Sequence, residues 1–532
     1  MSAQERPVLP LGPAVAVAAV AGLAFDAAFP ALGWWPLTFP AVALALVTLR
    51  GRRFWDAVLV GGAYGIAFYL PHVSWAGQFL GDHPLAWLPW VALAVAEALL
   101  MALLAPLIAF AYRWLPQWRD TAAVRLVLLP AVVAGAWTTR ELVMSHWPYG
   151  GFPWGRVAMS QAGSPIAPVA SWVGVTGLGF LIVALCASVV ETVRLVRTRR
   201  ESARPPAAAG SGARRPHLAR AALVVPVALL AGPLFLLPAF PTQSAGTLRV
   251  GAVQGDGPAA YVDQSRPLAV LDSQLAASQP LRGEQVDVVL WPEGAVDSDP
   301  MVDADVRRTL DAAARRYGAP ILMNAASASG GAVYNTSFLW TETGPRATHA
   351  KRHPVPFGEY VPDRWFYEAI APDLVNLLER EYAPGTDPPV LELDDTPVGL
   401  AICFDVAFDD VVLEAIENEA QVFMFQTNNA DFRGTDENLQ QLDFARMRGI
   451  ESGRSVINLS TTGTSQAFAP DGTVLDALPA GEPGLMVTEV ERRQGRTMGV
   501  VLSPWLHWLV PIGTLTAIGA LAVGSRLRRA RR

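Results

Sequence analysis

Two hydrophobic regimes divide the chain. Before residue 241, and again near the C-terminus, apolar residues continue for about 20 positions at a time, the length a helix needs to cross a bilayer. These runs lie at roughly 10–28, 33–49, 54–73, 86–112, 122–140, 166–193 and 218–238, with an eighth at about 504–524. Residues 246–495 carry a different pattern. Short apolar, β-branched runs (TLRVGAVQ, VDVVLWP, APILMNAA, VYNTSFLW, VGLAICF, VFMFQT, SVINLST, GLMVTEV) read as strands. VRRTLDAAARRYG and ENLQQLDFARMRGIESG read as helices between them. Strands alternating with helices predict an α/β fold. The expected organisation is a helical membrane domain at 1–240, an α/β domain at 241–503, and an eighth span with a basic tail at 504–532. The first run reads as an uncleaved helix rather than a cleaved signal peptide, because more spans follow and MSAQERP is weakly basic.

Charge sharpens this picture. The chain is 52% hydrophobic and only 17% charged, where soluble domains run nearer about 25% charged. Arginines mark alternate loops: Arg50, Arg52 and Arg53 after the second span, Arg113 and Arg119 after the fourth, a stretch from Arg194 to Arg220 after the sixth, and RLRRARR at the end. Positive charge favours the cytoplasmic side. Both termini are therefore expected in the cytoplasm, and residues 241–503 outside it. Ser202 to Pro216, rich in Ala, Pro, Gly and Arg, reads as a flexible cytoplasmic linker. The outward loop 141–165 carries Trp147, Tyr149, Phe152 and Trp154, ring types that settle at headgroup level. Asp26 and Glu97, the main acids inside the spans, read as helix-contact residues rather than an ion path. Nothing suggests nucleic-acid binding.

Three residues carry candidate chemistry. Lysine plus arginine total 41, yet Lys351 is the only lysine. A compact ammonium suits a site that holds one small anionic oxygen or fits between two carboxylates. Glu293 and Cys403 each close an apolar run, VDVVLWPE and VGLAIC, which would deliver them at a sheet edge. Alone, each has a bland explanation: a surface lysine, a solvated carboxylate, a small core residue. Together they supply a nucleophile, a base for its proton and a cation for an oxyanion. The other cysteine, Cys186, lies in an apolar helix and reads as packing, so no disulfide framework arises. The seven histidines show no metal-ligand spacing beyond His349 and His353, which flank Lys351 in a Pro-rich loop. No metal or cofactor is expected.

In LWPEGAV, HAKRHPVPFGEYVP and AICFD the chain resembles the Glu–Lys–Cys nitrilase (carbon–nitrogen hydrolase) superfamily. PFGEYVP, together with VQG, YNTSF, QTNNADF, ARMRGIESGR, GGFPWG and the membrane runs, narrows the resemblance to the apolipoprotein N-acyltransferase family. The resemblance implies a four-layer α–β–β–α sandwich, which the strand pattern alone does not specify. It implies acyl transfer from a membrane phospholipid, through a Cys403 thioester, to the α-amino group of an S-diacylglyceryl apolipoprotein. Glu293 would be the base, Lys351 the oxyanion partner, and Glu359 the support of Lys351 rather than a surface carboxylate. Phe404 and Asp405 stand where the family more often has Tyr and Glu, so their supporting role departs from the pattern. In NNADF, Asn429 and Asp431 occupy places where the family often has Asp and Trp. Trp154, Tyr360 and Asn429 are expected near lipid or substrate. Arg446, Met447, Arg448 and Glu451 read as an ordinary amphipathic helix packing on a sheet. The chain is expected to act as a monomer in the bacterial plasma membrane. Competing readings are a membrane-tethered amidase that uses water instead of an amine, a scaffold with a dead domain, and a transporter.

Overall fold

The computed structural model describes residues 7–202, 216–260, 267–378 and 380–530. The linker expected at Ser202 to Pro216 lies, apart from its two ends, outside these residues. Helices stand at all eight apolar runs: α1 Leu11–Asp26, α2 Thr38–Leu49, α3 Phe54–His72, α4 Trp87–Trp118, α5 Leu129–Met144, α6 Ala170–Ser202 and α7 Pro216–Leu236 in the first half, and a last helix, Met498–Ala530. Among the described residues, five helical stretches are long and apolar enough to cross a membrane, at 54–72, 87–118, 124–144, 167–198 and 498–527; those at 11–26, 35–49 and 224–236 are shorter. The last helix begins at Met498, ahead of the predicted 504, and runs through Pro504.

Small residues let the first-half helices approach closely. A Cβ on Gly61 of α3 would come within 2.5 Å of Ala105 in α4, and one on Gly22 of α1 within 2.4 Å of Tyr64 O in α3. At one end of the bundle, Glu191 of α6 collects Arg50, Arg125 and Arg194 at 3.6, 3.3 and 3.0 Å. Arg50 at the end of α2, Arg125 just ahead of α5 and Arg194 within α6 therefore meet at one end of the bundle. The α/β domain sits at the opposite end.

Among the described residues, that domain has twelve strands in two six-stranded sheets. They are β1 Gln243–Gln254, β2 Val288–Leu290, β3 Ile321–Ser329, β4 Ala332–Thr341, β5 Gly344–Ala350, β6 Val390–Leu393, β7 Thr396–Ile402, β8 Val422–Thr427, β9 Val456–Ser460, β10 Ser465–Phe468, β11 Val474–Leu478 and β12 Gly484–Gln494. The orders are β12-β1-β2-β3-β4-β5 and β11-β10-β9-β8-β7-β6. Strand alternation decides the layers. Leu400 and Met424 point into a core between the sheets with Val250, Leu290 and Leu322. Their neighbours Ala401, Phe423 and Phe425 point the other way, onto α12 (Asp409–Glu417) and α13 (Glu437–Ser452), in a core continuous with the membrane-half helices. On the first sheet, α8 (Ala269–Ala277) and α9 (Ala304–Tyr317) cover the outer face through Leu271, Val306 and Leu310. The result is a four-layer arrangement of helix, sheet, sheet and helix. Two short helices complete the order, α10 (Arg364–Ile370) and α11 (Pro372–Val375), and Met498–Ala530 is α14.

Each predicted strand overlaps an observed one. The sequence pattern missed β5, β6, β10 and β11. Three of these are sheet edges. β5 buries only Gly344 and His349, and a four-residue strand such as β10 offers too few positions for a period to show.

The two halves are joined by ion pairs as well as by the shared core. Arg156, in the loop before α6, reaches Asp409 at 2.8 Å, Arg448 of α13 reaches it at 2.7 Å, and His507 of α14 reaches it at 3.0 Å. Arg448 also pairs with Glu451 at 2.9 Å. Helix α6 breaks at Gly174 (φ 71°), and Glu451 Oε1 accepts from the restarting Val175 N–H at 2.8 Å. Of the four α13 residues read as simple packing, Arg448 and Glu451 thus belong to the charged joint between the halves, while Met447 packs in the core and Arg446 donates to Gly472 O.

Candidate active site

Each candidate residue sits just past the end of a strand. Trp291, in the turn after β2, donates its N–H to Leu322 O of β3 at 2.9 Å. The next residues are clamped by side chains: Gly294 N–H donates to Asn324 Oδ1 at 2.8 Å, and Thr461 Oγ donates to Glu293 O at 2.7 Å. Lys351 follows β5, and its N–H donates to Asn335 O at 2.8 Å. Gly385 donates its N–H to Lys351 O at 2.7 Å; a Cβ on Gly385 would lie 2.2 Å from Ala350 O, so only glycine lets that strap approach. Cys403 follows β7 with φ at +51°. That left-handed backbone is costly for any residue with a side chain. It turns the sulfur out of the strand direction into the site.

The side chains converge. Lys351 Nζ lies 2.8 Å from Glu359 Oε2 and 3.4 Å from Glu293 Oε1. Asn335 Nδ2 donates to both carboxylates, at 2.7 Å to Glu293 Oε1 and 3.1 Å to Glu359 Oε1. Asn335 is itself oriented by Asn324 Nδ2, which donates to its Oδ1 at 2.8 Å. The Cys403 thiol hydrogen-bonds Glu293. All three carboxyl and ammonium groups are buried.

Burial and neighbouring charge set the proton positions. Burial pushes Glu293 above the usual glutamate range; Lys351 opposes this and Glu359 adds to it. Burial works against the Lys351 charge, but Glu293 and Glu359 outweigh it and hold the ammonium protonated. Burial, then the Glu293 charge, pushes the Cys403 thiol well up, with Lys351 opposing. A neutral thiol beside a raised-pKa carboxylate and a fixed cation is the set of groups that attack on an electrophile whose oxygen becomes negative would require.

Asp405 ties two of these segments together. Its carboxylate accepts from Arg352 N at 3.2 Å, His353 N at 2.7 Å and Ile402 N at 3.3 Å. It therefore joins the chain after Lys351 to the strand before Cys403. Phe404 stacks on Phe152 and Trp154 of the loop between α5 and α6, at 5.9 and 6.3 Å. The residue that follows Cys403 is thus packed against the membrane half.

The expected lipid contacts fare differently. Trp154 is 3% exposed. It packs on Phe404 and Phe444, and donates to Gln440 Oε1 at 2.7 Å. It is an internal joint rather than an interfacial anchor, because its polar edge is consumed inside the protein. Asn429 is buried and its amide is committed to Glu437 and Gln441, at 2.6 and 2.9 Å. Tyr360 is half-buried, and its carbonyl accepts from Phe357 N at 2.7 Å. Trp147 and Tyr149 stay exposed, and Trp365 on α10 is 76% exposed. Phe432, after NNAD, packs on Trp75 and Phe79 of the membrane half. His353 stacks on Phe408 at 3.9 Å and pairs with Asp410. Among the described residues no group of three or more His, Cys, Asp and Glu is placed to hold a metal ion.

Sequence reasoning named the YNTSF run without giving Asn335 a role at this site, and it expected Asn429 of QTNNADF near substrate rather than among the hydrogen bonds that support the site. Asn324, Asn335, Glu437, Gln441 and Thr461 all serve it. The available signal was polarity at buried strand or helix positions: Asn324 and Asn335 interrupt apolar strands.

Comparison with known proteins agrees with this architecture. A family model described as the apolipoprotein N-acyltransferase N-terminal domain matches residues 21–188, and one described as carbon–nitrogen hydrolase matches residues 249–498. The apolipoprotein N-acyltransferase of Mycolicibacterium smegmatis is 30% identical over 536 residues, covering 94% of this chain and 83% of that protein. That of Azotobacter vinelandii is 30% identical over 513 residues, covering 93% and 91%. Among solved structures, a mutant of the Nesterenkonia AN1 amidase from the nitrilase superfamily covers 50% of this chain and 99% of its own at 20% identity and a TM-score of 0.36, a likeness that carries no argument about chemistry.

Proposed function

The chain belongs to the apolipoprotein N-acyltransferase family, and from that premise we propose that it moves a fatty acyl chain from a membrane phospholipid, through a Cys403 thioester, to the α-amino group of a diacylglyceryl apolipoprotein. One observation carries the proposal. Glu293, Lys351 and Cys403 converge in a buried site whose wall, through Phe404, is shared with the membrane half. A water-soluble substrate gives no reason for that junction, whereas two acyl-anchored substrates do.

The chemistry runs in two halves. Glu293 takes the Cys403 proton as the thiolate attacks the ester carbonyl. Lys351, with the amide N–H that follows Cys403, stabilises the tetrahedral oxyanion. Collapse breaks the ester C–O bond. Protonated Glu293 returns its proton to the leaving lysophospholipid oxygen, and the thioester remains. An amine then attacks the thioester, Glu293 takes the amine proton, and Cys403 leaves as the amide forms. The same residues act in both halves because each half passes through the same oxyanion. A wall shared with the membrane half also limits the water that would hydrolyse the thioester.

The topology that fits is eight spans with both termini in the cytoplasm, the boundaries being 1–240, 241–503 and 504–532. The bacterial relatives and the apolar helices support placement in the plasma membrane. The meeting of Arg50, Arg125 and Arg194 around Glu191, at the end away from the α/β domain, supports placing that domain outside. The chain acts as a monomer in this reading.

The test is intact mass of the purified protein with a defined phospholipid in detergent, wild type beside Cys403→Ser. The expected result is one hydroxylamine-labile acyl chain on wild type alone, discharged by a diacylated lipopeptide to a triacylated product. Absence of adduct and of lysophospholipid release from folded protein would overturn the proposal. Discharge to water alone would leave an amidase-type hydrolase.

A further inference from the structure

Cys403 Sγ has a second polar neighbour besides Glu293. Gln441 Nε2 lies 3.4 Å from it. Gln441 is 1% exposed and sits on the first turns of α13. Whether this contact is a donor facing the sulfur depends on which way the amide points, and amide orientation has to be deduced from the network around it.

Here the network has one direction. Backbone N–H groups can only donate. Gly463 N–H and Thr462 N–H both donate to Ser460 Oγ, at 2.8 and 3.3 Å. The Ser460 hydroxyl must therefore give its own hydrogen onward, to Asn429 Oδ1 at 2.5 Å. That fixes Asn429 with its Nδ2 toward α13, where it donates to Gln441 Oε1 at 2.9 Å and to Glu437 Oε2 at 2.6 Å. With Oε1 occupied as an acceptor, Gln441 presents N–H to the sulfur. The turn after β9 must come close for this to work: a Cβ on Gly463 would lie 2.6 Å from Asn429 Oδ1.

The helix that carries the donor is anchored from the other half of the molecule. Gln440, the preceding residue, accepts from Trp75 Nε1 at 3.1 Å and Trp154 Nε1 at 2.7 Å, and donates to His72 O at 3.1 Å. Adjacent glutamines thus face two ways, one into the membrane half and one onto the nucleophile.

We propose that Gln441 is a further catalytic residue, whose N–H stabilises the Cys403 thiolate when it forms and again when it leaves the thioester, and that Asn429 and Glu437 are positioning residues that hold its polarity. The inference rests on the reading of Cys403 as the nucleophile. The charged groups that also bear on this sulfur are Glu293, Lys351 and Glu437. Glu293 and Glu437 oppose the thiolate and Lys351 favours it. The Gln441 N–H adds to the favourable side at no cost in charge.

The experiment uses the full-length protein in detergent. Cys403 alkylation by iodoacetamide is followed by peptide mass across pH, alongside acyl-adduct formation from phospholipid. In Gln441→Met, which keeps the bulk and loses the donor, the alkylation profile should move to higher pH. Its rate near neutrality should fall about tenfold, as for a lost hydrogen bond to a charged group. Acyl-adduct formation should slow in proportion. Gln441→His, which retains an N–H, should recover most of the rate. Asn429→Ser, which frees the Gln441 amide, should shift the profile the same way and serves if Gln441→Met does not fold. Profiles of folded variants that coincide with wild type would overturn the proposal. A shifted alkylation profile with no acyl adduct on wild type would instead sink the nucleophile reading and leave the donor assignment standing.

Discussion

The Lys351 ammonium lies 2.8 Å from Glu359, closer than the 3.4 Å that separates it from Glu293. Glu359 holds the lysine more closely than Glu293 does. Two carboxylates around one cation also leave the site with an excess negative charge, which keeps Glu293 basic.

Replacing Glu359 with Gln tests that division. Glu359 raises Glu293, so its removal lowers the base. The acid limb of the acylation pH profile should move to lower pH, while the plateau rate falls about 10–100-fold as Lys351 loses its nearer charged partner. Acyl-adduct formation against pH is the measurement. An unmoved limb with an unmoved rate would mean that Glu359 does not hold the lysine.

Asp405 accepts three backbone N–H groups that flank Lys351 and Cys403. Asparagine at this place would turn its NH2 toward at least one of those donors. Asp405→Asn is expected to cost about 1–3 kcal/mol of stability and to slow acylation, because the loop after Lys351 is no longer tied to the strand before Cys403. Thermal melting in detergent and adduct kinetics read the two effects separately.

The Cys403 backbone, at φ +51°, gives a prediction about stability rather than rate. Both Cys403→Ala and Cys403→Gly abolish the adduct. Glycine has no Cβ to strain in the left-handed region, so the Gly variant should be more stable than the Ala variant by about 1 kcal/mol. Equal melting points would show that the turn has relaxed.

Glu437 sets a pH dependence. Burial pushes it up to about 8 from 4.5; the Asn429 hydrogen bond opposes this and the Glu293 charge adds to it. Below pH 4.5 the carboxyl is protonated folded or unfolded. As pH rises from there toward 8, the unfolded chain ionises first, so this group's contribution to stability is progressively lost. Glu437→Gln removes that loss while still accepting from Asn429. The variant should gain thermal stability over wild type at pH 9 and not at pH 4, each relieved pKa unit being worth about 1.4 kcal/mol.

Much was legible from sequence because it is written in runs. A membrane helix needs about 20 apolar residues wherever it packs, so each of the eight runs marks a helix, five of them, among the described residues, long and apolar enough to span. Glu293 and Cys403 were visible because each closes an apolar strand, and Lys351 because it is the single lysine. These are local signals, and they hold for any fold that uses the segments.

What only the tertiary structure decided is which polar groups share a neighbourhood. Asn335 bridges Glu293 and Glu359 from a strand whose sequence shows merely one Asn among apolar positions. Gln441 reaches Cys403 across 38 positions of chain, and its direction depends on backbone amides at Thr462 and Gly463. Trp154 carries the composition of an interfacial anchor, yet the packed joint between the halves takes it out of reach of lipid. Hydrogen bonds of this kind are short-ranged and directional, so they exist only once long-range packing has fixed both partners. Hydrophobic periodicity selects the layers, and the layers select the partners.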